Sequence, residues 1–119
     1  MISRKHRFHG LGSLKPVYQN GRTVRGPAFG VKYLLNPRRD SYRLAVVVSR
    51  KVNKSAVARN RLRRRLYEAV RELEADIIRP YDMVITVFQD SLLKEPSPSL
   101  KGQLKKQLTQ AGILAKRIS

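Results

Sequence analysis

Cysteine is missing from this 119-residue chain, which excludes a disulfide framework and any thiolate metal site. No run of about eighteen apolar residues occurs, so no membrane-spanning helix is expected. The start, "MISRKHRFHG", is basic but is followed by no apolar h-region, and so does not read as a secretory signal. An intracellular, cytoplasmic protein is the simplest reading. Acidic residues are scarce and unevenly placed. None precedes Asp40, and Glu68, Glu72, Glu74, Asp76, Asp82 and Asp90 supply six of the eight. A protein nuclease working through two metal ions needs several converging carboxylates, and the basic half offers almost none. Gly-rich phosphate loops, nucleophile elbows and HExxH motifs are also missing.

The chain has positive charge in excess. Its formal net charge is +18, with 26 Lys and Arg against 8 acids, while apolar residues make up 41%. That apolar share suits one globular domain spanning 1–119 and is too high for a disordered basic tail. The charge implies a polyanionic partner. It is densest in "RKVNKSAVARNRLRRR", residues 50–65, where eight of sixteen residues are cations and none is an acid.

Periodicity outlines the elements. Residues 1–9 read as a basic, mobile or partner-ordered arm. It includes His6 and His9, which lack carboxylate or thiol company for a metal. "GSLKPVYQNG" reads as a short helix with Ser13 as N-cap, Pro16 in the first turn, and Leu14, Val17 and Tyr18 on one face; Asn20-Gly21 ends it. "AFGVKYLL" alternates like a strand, and "YRLAVVVS" reads as a buried central strand paired antiparallel with it. Ser55 caps a long helix running to about Ile78, with Leu62, Leu66, Ala69, Val70, Leu73 and Ile77 as its core stripe. On that wheel Arg61, Arg64 and Arg71 point away from the stripe, and Arg59, Arg63 and Arg65 flank it. "YDMVITVF" is a further strand. Ser97 as N-cap and Pro98 at the first position open a last helix carrying Leu100, Leu104 and Leu108, with Gly112 at its end; a basic tail, 113–119, follows. The order is helix, two or three strands, helix, strand, helix: a small α/β sandwich.

The arginine helix suits phosphate, because guanidinium forks bind phosphate oxygens bidentately and stay charged. A merely solvated charged face normally alternates signs at i,i+4, whereas Arg61 and Arg65 are like charges at that spacing. Membrane-surface binding would need a free apolar face, and the core claims this helix's leucines. Glu68 and Glu72 read as ion-pair partners. Among the aromatics, alternation assigns Phe29 and Tyr33 to the core and leaves Tyr18 as the base-stacking candidate. A structural RNA-binding protein of the ribosomal type shares these features, as does a helix-in-groove DNA reader using Asn60.

"SRKVNKSAVARNRLRRRLYEAVRE" resembles the protein subunit of bacterial ribonuclease P. Ser49, Arg50, Lys51, Ala56, Val57, Arg59, Asn60, Arg61, Leu62, Arg63, Arg64 and Glu68 match its motif in order, and the likeness runs from about Arg7 through the last helix, with "VYQNGRTV" and "YDMVITV". The resemblance implies an α+β fold: a two-layer sandwich in αβββαβα order with a left-handed βαβ crossover. It implies a non-catalytic subunit of a ribonucleoprotein endoribonuclease that matures tRNA 5′ ends. Mg²⁺ would be held by the catalytic RNA and no cofactor or metal by the protein. The partners would be that RNA and precursor tRNA, with no membrane and no protein partner required. Arg50, Lys51, Lys54, Arg59, Asn60, Arg61, Arg63 and Arg64 would contact the RNA; Leu14, Tyr18 and Lys32 would line a cleft for the 5′ leader. The chain departs from the family pattern at Leu14 and Lys32, where aromatics are found, at Arg65 in place of an aliphatic residue, and at Tyr67 in place of a basic one. The last two imply a slightly rotated helix or a repacked rim.

Overall fold

A computed structural model describes residues 6, 8 and 14–115. Helix α1 (Lys15–Asn20) is followed by strands β1 (Arg22–Arg25), β2 (Phe29–Leu35) and β3 (Arg43–Val47), helix α2 (Ala56–Leu73), strand β4 (Tyr81–Val87) and helix α3 (Ser97–Gln110), with short 3-10 turns at Glu74–Asp76 and Asp90–Leu93. The expected αβββαβα order holds. Ser13, expected to cap α1, lies outside the described residues, as does His9. Proline occupies the first turn of α1, and Gly21 closes the helix for a steric reason: a Cβ there would meet the Val17 carbonyl oxygen at 2.4 Å.

The four strands lie in the order β1-β2-β4-β3. β4 pairs antiparallel with β2 and parallel with β3. This corrects the expected β2–β3 pair and moves β3 from the centre to an edge. The reason is visible in burial. Met83, Val84 and Ile85 of β4 are all buried, leaving no face for water, whereas β3 alternates buried Leu44 and Val46 with half-buried Arg43, Ala45 and Val47. α2 supplies the crossover that a parallel β3–β4 pair requires.

The register sorts the strands into two faces. Phe29, Val31, Leu44, Val46, Met83, Ile85 and Val87 face α2 and α3 and form one buried cluster with Leu62, Leu66, Val70, Leu100, Leu104 and Leu108. Each fully buried Leu or Phe contributes roughly 1.5–3 kcal/mol. The expected stripe of α2 is buried as far as Leu73; the helix then tightens into the 3-10 turn, so Ile77 falls outside it and bridges to Leu114. α3 starts one residue earlier than expected: Pro96 is its N-cap, without a side-chain hydrogen bond, and Ser97 is its first helical residue. Beyond it, Gly112 takes the left-handed conformation (φ +77°). Ile113 and Leu114 are buried in the core, so the segment from 113 does not begin as a tail.

Part of the amino-terminal segment is also docked, against the expectation of a free arm. The His6 ring stacks on Tyr42 with centroids 4.0 Å apart, and its Nδ1 lies 2.9 Å from the Tyr42 carbonyl oxygen. Its Nε2 is 3.8 Å from Glu74, a carboxylate neighbour that the sequence does not reveal. Arg43 lies over the Phe8 ring at 4.5 Å. Both contacts fall at the start of edge strand β3, at Tyr42 and Arg43, and cover part of that edge.

Candidate nucleic-acid interface

The basic stretch is built on a fixed loop. The Ser49 carbonyl accepts the Val52 N–H at 3.1 Å. The Asn53 side-chain oxygen accepts the Ser55 N–H at 2.9 Å, and its amide donates to Asp90 at 3.2 Å. Ser55 then caps α2 as expected, accepting the Ala58 N–H at 3.2 Å. Arg59 donates back to the Asn53 and Lys54 carbonyls at 3.1 and 2.9 Å. Arg50, Lys51 and Lys54, with Ala56 and Arg59, surround an open concavity of about 610 Å³. The first turn of α2 has no acidic residue, so its positive dipole end adds to the cations instead of being neutralised.

Along α2 the arginines divide by task. The Arg61 and Arg64 side chains are exposed and make no hydrogen bond or ion pair to another described residue. Asn60 accepts from Arg63, which also reaches the Val48 carbonyl at 3.5 Å, so Asn60 orients a neighbouring cation. Arg65 turns the other way. It donates to the carbonyls of Leu92, Leu93 and Glu95, satisfying the end of the Asp90–Leu93 turn. Glu68 pairs with Arg71 at 3.0 Å and Glu72 with Lys101 at 3.6 Å, as ion-pair partners.

A second surface lies on the opposite side of the sheet, where α1 packs against β2 and β4. Val17 and Val84 are fully buried there, apart from the main core. Tyr18 is 46% exposed, and the Lys32 ammonium lies 5.9 Å from its ring centroid. Leu14, one turn earlier, is half-buried. Gly30, Ala45, Val47 and Thr86 share this face by register and form a floor of small side chains. Phe29 is fully buried and Tyr33 packs against the core, as alternation requires.

The family model described as Ribonuclease P matches residues 2–112. The chain belongs to the ribonuclease P protein family. The ribonuclease P protein component of Chloroflexus aurantiacus is 36% identical over 113 residues, covering 95% of this chain and 82% of that one. Its counterpart in Synechococcus elongatus is 34% identical over 117 residues, covering 95% of each. The fold is shared with the RNase P protein of Staphylococcus aureus (TM-score 0.81, 23% identity, 92% of this chain and 98% of that one) and with that of Thermotoga maritima (TM-score 0.78, 22% identity, 87% and 96%). A ribonuclease P protein component is a subunit of an endoribonuclease whose RNA carries the catalysis, and that RNA is the chain's partner.

Sequence reasoning passed over Arg25 and Phe88 on the second surface. Phe88 ends the apolar run "YDMVITVF", whose sequence alone sets no residue apart. The signal was the alternation itself: with Val87 facing the core, its neighbour must face the other side.

Proposed function

We propose that the loop at 49–55 and the outer face of α2 dock on the catalytic RNA through Arg50, Lys51, Lys54, Arg59, Asn60, Arg61, Arg63 and Arg64, while the α1 side of the sheet holds the 5′ leader of precursor tRNA against Leu14, Tyr18 and Lys32. The observation that carries the reading is the pair of separated surfaces, one with exposed guanidinium groups on a hydrogen-bonded scaffold and the other with an exposed aromatic beside an ammonium. The first suits phosphates and the second unpaired bases.

In this reading the Mg²⁺ of the reaction is held by RNA. Magnesium takes oxygen ligands, several of them from carboxylates or phosphates. Here Asp82 is tied to Arg43 and Asn36, Glu74 to Tyr42, Asp90 to Asn53 and Glu95 to Ser99. Among the described residues no group of three or more His, Cys, Asp or Glu is placed to hold a metal. The protein's contribution is electrostatic and positional. Two polyanions repel, and cations between them lower that cost; leader contacts add affinity that mature tRNA lacks. Holoenzyme reconstituted with a bacterial ribonuclease P RNA therefore binds precursor tRNA more tightly than mature tRNA, and equal affinities would refute the leader assignment. The ribosomal-type alternative has no family support.

A further inference from the structure

The leader surface carries a second planar group that the reading above does not use. Gly30 lies on the small-residue floor, and a Cβ built on it would meet the Phe88 ring at 3.3 Å, which puts that ring on the leader side of the sheet. Arg25 is the register partner of Gly30 and points to the same side. Its guanidinium carbon lies over the Phe88 ring, 4.4 Å from the centroid. Arg25 is exposed and Phe88 half-buried, so the guanidinium forms the outer layer of the stack. Among the described residues neither side chain makes a hydrogen bond or ion pair. Lys32, beside Tyr18, is two residues further along β2 on the same face, about 7 Å away.

We propose that Arg25, lying over the Phe88 ring, is a second nucleobase platform on the leader surface, taking an unpaired base of the precursor leader beyond the one at Tyr18. Guanidinium planes stack on bases as aromatic rings do, and carry charge for the flanking phosphate. Gly30 is part of the device, because a Cβ at that position would crowd the Phe88 ring at 3.3 Å and push it outward. The proposal rests on the leader reading and deepens it.

The test uses holoenzyme reconstituted with a bacterial ribonuclease P RNA and reads the ratio of affinities for precursor and mature tRNA, with 2-aminopurine substituted at successive leader positions. Arg25→Lys keeps the charge, loses the plane and alters only an exposed side chain, so it is the deciding variant. A base stack is worth enough that Arg25→Lys and Phe88→Ala each lower the ratio about fivefold or more. Arg25→Lys also releases the quenching of one leader base, and Phe88→Trp retains both signals. An unchanged ratio and unchanged quenching in Arg25→Lys overturn the proposal, since charge alone would then suffice. If Tyr18→Ala lowers the ratio while both platform variants leave it unaltered, the platform fails and the leader surface stands. A wild-type ratio of one removes both.

Discussion

Four residues, one helical turn, separate Arg61 from Arg65, yet one guanidinium is exposed to solvent and the other closes three carbonyls of its own chain. Substitution should separate the two tasks. Arg61→Ala and Arg64→Ala each reduce the slope of log affinity against log salt by about 1 if each contacts one phosphate, with thermal stability little changed. Arg65→Ala does the reverse: it lowers unfolding free energy by about 1–3 kcal/mol, because partly buried carbonyls lose a charged donor, and leaves the slope intact. Denaturant titration and salt-dependent binding read these outcomes independently. Tyr42 gives a pH prediction at the same scale. Burial, then the 2.7 Å hydrogen bond to Glu74 and that carboxylate's charge, raise its phenol well above the usual range. The folded state therefore holds a proton that the unfolded chain releases near pH 10. Stability present below that pH is lost as pH rises above it, and Tyr42→Phe flattens this alkaline limb in urea titrations.

At the scale of elements, local signals were legible and long-range partners were not. The Ser55 cap, the α2 stripe as far as Leu73 and the α3 leucines follow from spacing alone, because each depends on residues within a turn or two. The place of β3 does not. Periodicity tells which of its side chains are buried, but not that β4, some forty residues later, inserts between β2 and β3. The same limit hid His6, whose partners lie 36 and 68 residues away, at Tyr42 and Glu74. The β3–β4 pairing has its own polar fastening. Arg43 donates to both oxygens of Asp82 at 2.9 and 2.8 Å, and Asn36 adds a third bond at 3.0 Å. Both ion-pair partners are largely buried, so Asp82→Ala strands a charge and should cost about 3–5 kcal/mol. A loss below about 1 kcal/mol in chemical denaturation would show that Arg43 finds another outlet.

For the whole molecule, the net charge of +18 is densest at residues 50–65, which hold eight of the 26 Lys and Arg. A hydrogen-bonded loop and the outer face of α2 present cations on one side; α1 and the sheet present Tyr18, Lys32, Arg25 and Phe88 on the other. The residues proposed to face RNA were legible because they form a dense, acid-free run. The proposed leader side was only partly legible, because Tyr18, Lys32, Arg25 and Phe88 come from α1, two strands and the residue just after β4, and only folding brings them together. In the proposed function two polyanions are joined across one small protein, an effect that should be largest where magnesium is too dilute to screen them. The deciding measurement is precursor tRNA cleavage by a bacterial ribonuclease P RNA at low Mg²⁺, with and without this protein, beside a protein-only control. Cleavage at the mature 5′ end only when both are present is the predicted result. Cleavage by the repurified protein alone, or no stimulation of an RNA that the protein demonstrably binds, would contradict the account.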